Sequence, residues 1–268
     1  MKIEINDRPT EIPSATTLKE LRRQIKPDAD LMILNGFPRQ EDVPLNAGDR
    51  VVFIRRGEQP DAGELEALLA ARHPPGVHAR LKPAVVGVAG CGGLGSAVAV
   101  ALARIGVGHL ILADFDLVEP SNLNRQQFFV DQIGLPKVEA LHANLSRVNP
   151  YVQITRHCER LTPKNIPVHF GAVDVLVEAF DDPAQKAMLA ATFLREVPGK
   201  PLVMASGMAG FGPANQIVTR QAADNLYLIG DGETAARPGE GLMAPRVGIA
   251  AHHQANAVLR LLLGESPV

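Results

Sequence analysis

Cysteine is scarce in this sequence, and two kinds of segment are absent from it. Only Cys91 and Cys158 occur among the 268 residues, so we expect no disulfide framework and a reducing cytoplasm as the compartment. Neither a CxxC pair nor a His/Cys cluster with zinc spacing is present, and no zinc is therefore expected. The start of the chain lacks the charged-then-apolar pattern of a signal peptide, and no apolar run approaches the roughly 18 residues of a membrane span.

An excess of charge of one sign is missing as well. The 27 basic and 29 acidic residues leave a formal net charge of -2. A large basic excess would indicate nucleic acid or an anionic membrane as the main partner, so neither is expected. The chain does contain 46% hydrophobic residues, which at this length suffices for one sizeable core, or for one core plus a small extra domain. The composition therefore favours a soluble, cytoplasmic protein.

Residues 1–57 predict a small domain of strands with one helix. Alternating apolar residues at Ile3 and Ile5 indicate a first strand, and turn residues then return the chain as a second strand. Thr17 and Glu20 have the spacing of a capping box at the start of a helix. A third strand ends at the Asn35-Gly36 turn, and the last strand has the sequence RVVFI.

This order of elements and the pattern L-N-A-G-D-x-V-x-F resemble the β-grasp sulfur carriers of thiamin biosynthesis, which are ubiquitin-like. Such carriers end in a free Gly-Gly whose carboxylate is activated, whereas here Gly57 continues directly into Glu58. The resemblance thus implies a domain that cannot itself be adenylated unless the chain is cut. A docking or stabilising module is the simpler interpretation. Residues 58–79 are predicted to be a linker with a connecting helix.

A glycine-rich turn follows the next apolar run. Residues 84–89 are valine-rich, as a buried parallel strand should be, and Gly90, Gly92 and Gly95 then satisfy G-x-G-x-x-G before a helix. A second strand ends in Asp114, nineteen residues after Gly95, where an acid that binds ribose is expected. This pattern predicts a nucleotide site, but a nicotinamide or flavin dehydrogenase would also contain it.

The polar segment after Asp114 separates these two possibilities. Asn124 can hydrogen-bond sugar or phosphate oxygens, Arg125 offers a bidentate fork to a phosphate, and Lys137 adds a point charge. The adjacent Gly92 and Gly93 leave room for a bulky phosphate against the backbone. Two cations near the turn suit a triphosphate whose leaving charge must be neutralised. A nicotinamide-dependent oxidoreductase remains an alternative.

The second half of the chain alternates strands and helices, which predicts an α/β fold with a doubly wound, mainly parallel, Rossmann-like sheet. Ligands bind at the carboxyl ends of the strands in such sheets. Gly90, Asp114 and Asp181 each follow a predicted strand, so we expect them to lie close together. The whole chain is predicted to comprise a β-grasp domain (1–57), the linker (58–79) and an ATP-binding domain (80–268).

The motifs GxGGLGS, DFDxVExSNLNRQ and LPKVEA closely resemble those of the ThiF/MoeB/HesA adenylyltransferases, relatives of ubiquitin-activating enzymes, over roughly residues 80–265. The family carries an acid that binds magnesium after a later strand. Asp181 matches that acid, and Asp182 occupies a position where Asn is commoner. Family members are dimers that donate an arginine across the interface, for which Arg72 or Arg80 is a loose match. A crossing loop in the family covers the carrier tail, and residues 230–246 match its place.

The resemblance implies that ATP and the C-terminal carboxylate of a ubiquitin-like sulfur carrier react to give a carrier acyl-adenylate and pyrophosphate. In the site that the resemblance implies, Gly92 and Gly93 contact the α-phosphate, and Asp114 holds the ribose. Asn124, Arg125 and Lys137 hold the phosphates, and Asp181 binds Mg²⁺. Arg125, Lys137 and Asp181 are the expected catalytic residues.

The implied product is used for thiazole formation in thiamin biosynthesis, and the protein is expected to be a homodimer. Alternatives are a carrier serving molybdopterin or cysteine synthesis, or a non-catalytic docking protein that binds ATP. Both cysteines are expected to be inert, so sulfur would arrive through another protein.

Overall fold

The computed structural model describes residues 1–268, except for the side chains of residues 71 and 72. The suggested role of Arg72 therefore lies outside the described residues. The chain forms two compact units, Met1–Gly76 and Val77–Val268. None of the helices in the described part of the chain has both the length and the apolar character that crossing a bilayer requires.

The first unit is a five-stranded sheet in the order β2-β1-β5-β3-β4 with helix α1. Only the β1–β5 pair is parallel. A second helix, α2, also belongs to this unit. The elements are β1 (Lys2–Ile5), β2 (Arg8–Glu11), α1 (Leu18–Ile25), β3 (Leu31–Leu34), β4 (Phe37–Arg39), β5 (Arg50–Ile54) and α2 (Ala62–Arg72).

Local signals explain most of the first unit. Thr17 and Glu20 form the expected capping box of α1, and Leu18 and Leu21 are buried in the core of the unit. The expectation of four strands omitted β4. The Asn35-Gly36 turn, in which both residues have positive φ, continues into that short strand. All three residues of β4 are exposed, so no apolar alternation marks it in the sequence.

The second unit is a seven-stranded sheet in the order β11-β12-β10-β9-β6-β7-β8. Every pair is parallel except β11 with β12, which confirms the predicted α/β class. The elements are α3 (Val77–Leu81), β6 (Val85–Ala89), α4 (Gly93–Arg104), β7 (His109–Ala113), α5 (Lys137–Val148), β8 (Gln153–His157), α6 (Ile166–Phe170), β9 (Val175–Glu178), α7 (Pro183–Glu196), β10 (Leu202–Ala205), β11 (Val218–Ala223), β12 (Leu226–Gly230) and α8 (Ala244–Leu262).

Two hydrophobic clusters cover the two faces of this sheet. One contains buried residues of α4, α5 and α8, and the other contains buried residues of α6 and α7. Because the central strands are buried on both faces, they are continuous apolar runs. The chain runs from β6 to β8 in one direction and then returns to β9, on the other side of β6. This reversal places a ligand crevice at the carboxyl ends of β6 and β9.

Candidate functional site

A cavity of about 640 Å³ opens at the carboxyl ends of the parallel strands. Segments that follow β6, β7, β8, β9, β10 and β12 all contribute to its walls. The lining includes most of the residues that the sequence analysis assigned to the site, namely Gly92, Gly93, Asp114, Arg125, Lys137 and Asp181. The fold therefore brings these distant positions into one cavity, as expected from the strand ends.

The glycine turn holds the backbone tightly against the start of α4. Gly90 has a φ of +95°, and a Cβ on Gly95 would lie 1.8 Å from the Gly90 carbonyl oxygen. Only glycine at position 95 allows this approach. Helix α4 begins at Gly93, and this first residue of the helix lines the cavity. The amino end of α4 thus presents oriented N–H groups where an anion can bind.

Asp114 is anchored by the backbone around it. Its Oδ2 accepts a hydrogen bond from the Cys91 amide at 2.6 Å, and its Oδ1 accepts one from the Asp116 amide at 2.8 Å. Burial raises the pKa of the Asp114 carboxyl, and these two bonds oppose the rise. Cys91 is itself fully buried, which raises the pKa of its thiol well above the usual range. A raised thiol pKa leaves less of the nucleophilic thiolate at neutral pH.

The charge of Lys137 lies at a buried position that disfavours a cation. It is 6% exposed and is the first residue of α5, where the positive end of the helix dipole disfavours a cation. Its Nζ lies 2.7 Å from Oδ2 of the half-exposed Asp116. A buried cation whose ion-pair partner is half exposed, set against a helix dipole and lining a cavity, is an arrangement suited to an anionic ligand.

Arg125 lines the cavity beside this cation. Its Nη1 donates to Oδ1 of Asn124 at 2.8 Å and to the Ser121 carbonyl at 3.3 Å. Asn124 is exposed and is absent from the cavity lining, so in this structure it contacts Arg125 and does not face the cavity. Gln126, to which the sequence analysis gave no separate role, is buried in the lining. Its Oε1 has no hydrogen-bond partner among the described residues.

Two adjacent carboxylates follow β9. Asp182 caps α7, because its Oδ1 accepts hydrogen bonds from the amides of Ala184 and Gln185 at 2.7 and 2.9 Å. Asp181 is exposed at the cavity wall. A hard divalent cation that bridges phosphates requires one or two carboxylates together with water, so this pair fits Mg²⁺.

A buried ion pair at the end of β9 was not anticipated from the sequence. Glu178 is fully buried, and Nζ of Lys186 lies 2.9 and 3.0 Å from its two oxygens. Burial raises the pKa of the Glu178 carboxyl, and Lys186 opposes the rise. Lys186 also lines the cavity, so the lining contains four cations with Arg125, Lys137 and Arg160. The available signal was an acid that ends the apolar run VLVE.

A second buried pair anchors the glycine-rich segment at residues 231–243. Oδ2 of Asp231 accepts hydrogen bonds from Nη2 of Arg246 and from Oγ1 of Thr234, both at 2.6 Å. Burial opposes ionisation of Asp231, but the hydrogen bonds from Thr234, Glu233 and Arg246 outweigh it and lower the pKa of that carboxyl. The pair ties the start of this segment to α8, and residues 232–236 line the cavity.

Arg80 does not line the cavity. Its Nη1 donates to the carbonyl of Leu263, at the end of α8 in its own chain. Cys158 is exposed and is likewise absent from the cavity lining.

Comparisons with known proteins agree with this architecture. The ThiF family model matches residues 67–268, and a ThiS-like ubiquitin model matches residues 1–57. The molybdopterin-synthase adenylyltransferase of Escherichia coli (strain K12) is 34% identical over 190 residues, covering 69% of this chain and 75% of that protein. The sulfur carrier protein ThiS adenylyltransferase of the same organism is 33% identical over 186 residues, covering 67% and 73%.

Other relatives differ more in length or in sequence. The chain spans less than half of the length of the first curated relatives that it matches. A solved structure of the E. coli tRNA N6-threonylcarbamoyladenosine dehydratase TcdA in complex with ATP has a TM-score of 0.62 and 25% identity. That similarity covers 70% of this chain and 90% of the other.

Proposed function

The chain belongs to the ThiF family, and we propose that it is an ATP- and Mg²⁺-dependent adenylyltransferase that acts on the C-terminal glycine carboxylate of a ubiquitin-like sulfur carrier. The observation that carries the proposal is the composition of the cavity. A glycine turn, the anchored Asp114, the cations Arg125 and Lys137, and the exposed Asp181 share it. The two E. coli adenylyltransferases named above support the same reaction class.

In the proposed reaction the carrier carboxylate attacks the α-phosphorus of ATP. A carboxylate–phosphate bond forms, the bond between the α-phosphate and the pyrophosphate breaks, and pyrophosphate leaves with the electron pair. The attacking group is already an anion, so no general base is required. The residues of the chain therefore act by positioning the reactants and by neutralising charge.

Each part of the site has a proposed role. Gly92 and Gly93 bring backbone N–H groups close to the α-phosphate, and Asp114 accepts hydrogen bonds from ribose hydroxyls. Arg125 and Lys137 neutralise the triphosphate and the leaving pyrophosphate. Asn124, proposed from the sequence as a phosphate ligand, is now proposed to orient Arg125 through their 2.8 Å hydrogen bond. Gln126 offers an unsatisfied buried Oε1 to the ligand.

Asp181 would hold Mg²⁺, with water completing the coordination. When bound, the ion supplies Lewis-acid stabilisation of charge on the phosphate oxygens. Lys186 also lines the cavity, and its pairing with Glu178 fixes its position.

For the carrier, we propose a thiamin-type protein used in thiazole formation. The ThiS-like match of residues 1–57 supports this choice, as does the ThiS adenylyltransferase among the relatives. A carrier for molybdopterin synthesis is the second candidate, supported by the molybdopterin-synthase relative. We further propose that residues 1–57, 58–79 and 80–268 act as a carrier-like domain, a linker and the adenylating domain of a cytoplasmic homodimer.

A docking protein that binds ATP without catalysis is the alternative from another class. It is favoured by one observation, which is that the carrier-like unit continues into Glu58 and has no free carboxylate at Gly57. Pyrophosphate exchange separates the proposals. With ATP, Mg²⁺ and a panel of free carriers, we expect exchange only with the cognate carrier. Exchange with none of them would favour docking, and tight NAD binding without ATP binding would overturn both.

A further inference from the structure

Three side chains with metal-binding atoms meet beside the cavity. His157 ends β8, Glu159 follows two residues later, and His169 lies in α6. One ligand atom from each lies within 4.8 Å of the others. No local spacing connects His157 with His169, so only the fold reveals the cluster.

One buried nitrogen atom of this cluster lacks a hydrogen bond. Nε2 of His169 is buried and has no hydrogen bond of acceptable geometry among the described residues, although Oε1 of Glu159 lies 3.1 Å away. The imidazole of His157 stacks on that of His169, with ring centroids 3.7 Å apart. A buried polar nitrogen without a hydrogen bond is costly, and a coordinated cation would remove that cost.

A hydrogen bond from a neighbouring side chain orients the carboxylate of the cluster. Oε2 of Glu159 accepts a hydrogen bond from Nδ2 of Asn165 at 2.9 Å. Asn165 is fixed in turn, because its Oδ1 accepts a bond from the amide of Thr162 at 2.7 Å. Hydrogen-bonded support of this kind orients the carboxylate ligands of metal sites.

We propose that His157, Glu159 and His169 bind a divalent transition metal ion, and that Zn²⁺ suits these donors best. Two imidazoles and one carboxylate form a known three-ligand zinc set, with a fourth position left for water. Ligand atoms around tetrahedral zinc lie roughly 3.3 Å apart, so binding requires the widest separation in the cluster to shorten by side-chain rotation.

This site is separate from the magnesium position proposed at Asp181. Strands β8 and β9 are three positions apart in the sheet, which corresponds to about 14 Å at the usual strand spacing. Glu159 and the two residues after it line the cavity. A metal ion at this cluster would therefore tie one wall of the cavity to α6. The expectation of no zinc rested on the absence of a CxxC pair and of a His/Cys cluster with zinc spacing along the sequence, and this cluster has neither pattern.

The test treats the full chain with a chelator, removes the chelator, and titrates the chain with ZnCl2 in excess Mg²⁺. Calorimetry measures the binding during the titration. We expect one Zn²⁺ per chain with a Kd of about 1 µM or lower. His157→Ala and His169→Ala should each weaken binding at least about 100-fold, and Asn165→Ala by roughly 10- to 100-fold. His252→Ala removes an exposed histidine of α8, and Cys158→Ser removes the exposed thiol next to the cluster. Both controls should bind as the unchanged chain does.

Absence of Zn²⁺ binding would overturn the proposal, as would equal affinity in the two histidine variants and the His252→Ala control. Loss of binding in Cys158→Ser would overturn it too, because the thiol would then be the ligand. If circular dichroism shows that a histidine variant is unfolded, the exposed Glu159→Gln takes its place, and unchanged affinity in that variant would contradict the site. Co²⁺ absorption in the visible range provides an independent readout of the coordinating atoms.

Discussion

At the scale of one residue, the position of Lys137 suits the binding of phosphate but disfavours the folded state. Its cation sits at the amino end of α5, against the helix dipole, and its partner Asp116 is half exposed. We expect Lys137→Met to lower pyrophosphate exchange about 100-fold, because it removes a charge from the phosphate site. The free energy of unfolding should change by less than about 1 kcal/mol, because the lost pair is partly offset by relief at the dipole.

Exchange assays and urea unfolding measure the two effects of that substitution. Lys164→Met, which changes an exposed lysine, is the matched control and should alter neither quantity. A Lys137→Met variant that unfolds readily while its residual folded fraction exchanges normally would show that the lysine is structural.

The neighbouring Asp181 and Asp182 separate two roles that the sequence alone leaves combined. Asp181→Ala should abolish exchange and leave unfolding unchanged, because the side chain lines the cavity at an exposed position. Asp182→Ala should cost about 1 kcal/mol of stability, because it removes the cap of α7. Pyrophosphate exchange and urea unfolding measure the two effects. Loss of exchange in Asp182→Ala, with a loss of stability in Asp181→Ala, would assign Mg²⁺ to Asp182.

The pair of Glu178 and Lys186 gives a pH-dependent prediction. Burial already raises the pKa of Glu178, and Lys186→Met removes the cation that opposes the rise. Between the unfolded and the raised folded pKa, the native state binds more protons than the unfolded state, so stability falls as pH rises. We expect the free energy of unfolding of Lys186→Met to decrease as the pH rises above the ordinary pKa of a glutamate, by up to ~1.4 kcal/mol per pH unit.

Urea unfolding at several pH values tests this slope. Lys200→Met is the control, since its Nζ pairs at 3.3 Å with the partly exposed Asp174. Equal pH dependence in the two variants would mean that Glu178 is not a buried charge that depends on Lys186.

At the scale of elements, the start of α4 depends on the close approach of Gly95 to Gly90. A Cβ at Gly95 would collide with the Gly90 carbonyl at 1.8 Å, so Gly95→Ala must move the turn. We expect Gly95→Ala to lower the free energy of unfolding by about 3 kcal/mol, measured by urea unfolding. The variant should also lose ATP binding, measured by calorimetry. Gly248→Ala in α8 has no atom within 4 Å of its added methyl and should stabilise the chain by about 0.5–1 kcal/mol. Intact ATP binding by Gly95→Ala would contradict the role of the turn.

Elements with strong local signals could be predicted from the sequence. The capping box of α1, the glycine turn and the valine-rich strands each carry their own pattern, and strand ends then place Asp114 and Asp181 together. The pair Glu178–Lys186 and the cluster at His157 could not be predicted in this way, since their partners meet only after the helices pack. The orientation of Asn124 likewise depends on a side-chain hydrogen bond that spacing does not determine.

At the scale of the whole molecule, a ThiS-like unit precedes a ThiF-family unit, and one relative of the latter is a sulfur carrier protein ThiS adenylyltransferase. The chain passes through Gly57 into Glu58, so the first unit has no carboxylate to activate. The proposed reaction therefore requires a separate carrier as substrate. ATP and Mg²⁺ alone should leave the chain unmodified.

Transfer of labelled phosphate tests the central claim most directly. The full chain, Mg²⁺ and a free thiamin-type carrier ending in Gly-Gly are mixed with ATP labelled at the α- or the γ-phosphate, then quenched in acid. We expect the α-label to stay on the carrier and the γ-label to leave as pyrophosphate. Arg125→Ala should neither label the carrier nor release labelled pyrophosphate, whereas Arg195→Ala, which changes an exposed arginine, should do both as the unchanged chain does. An unlabelled carrier, label on the chain itself, or full transfer by Arg125→Ala would contradict it.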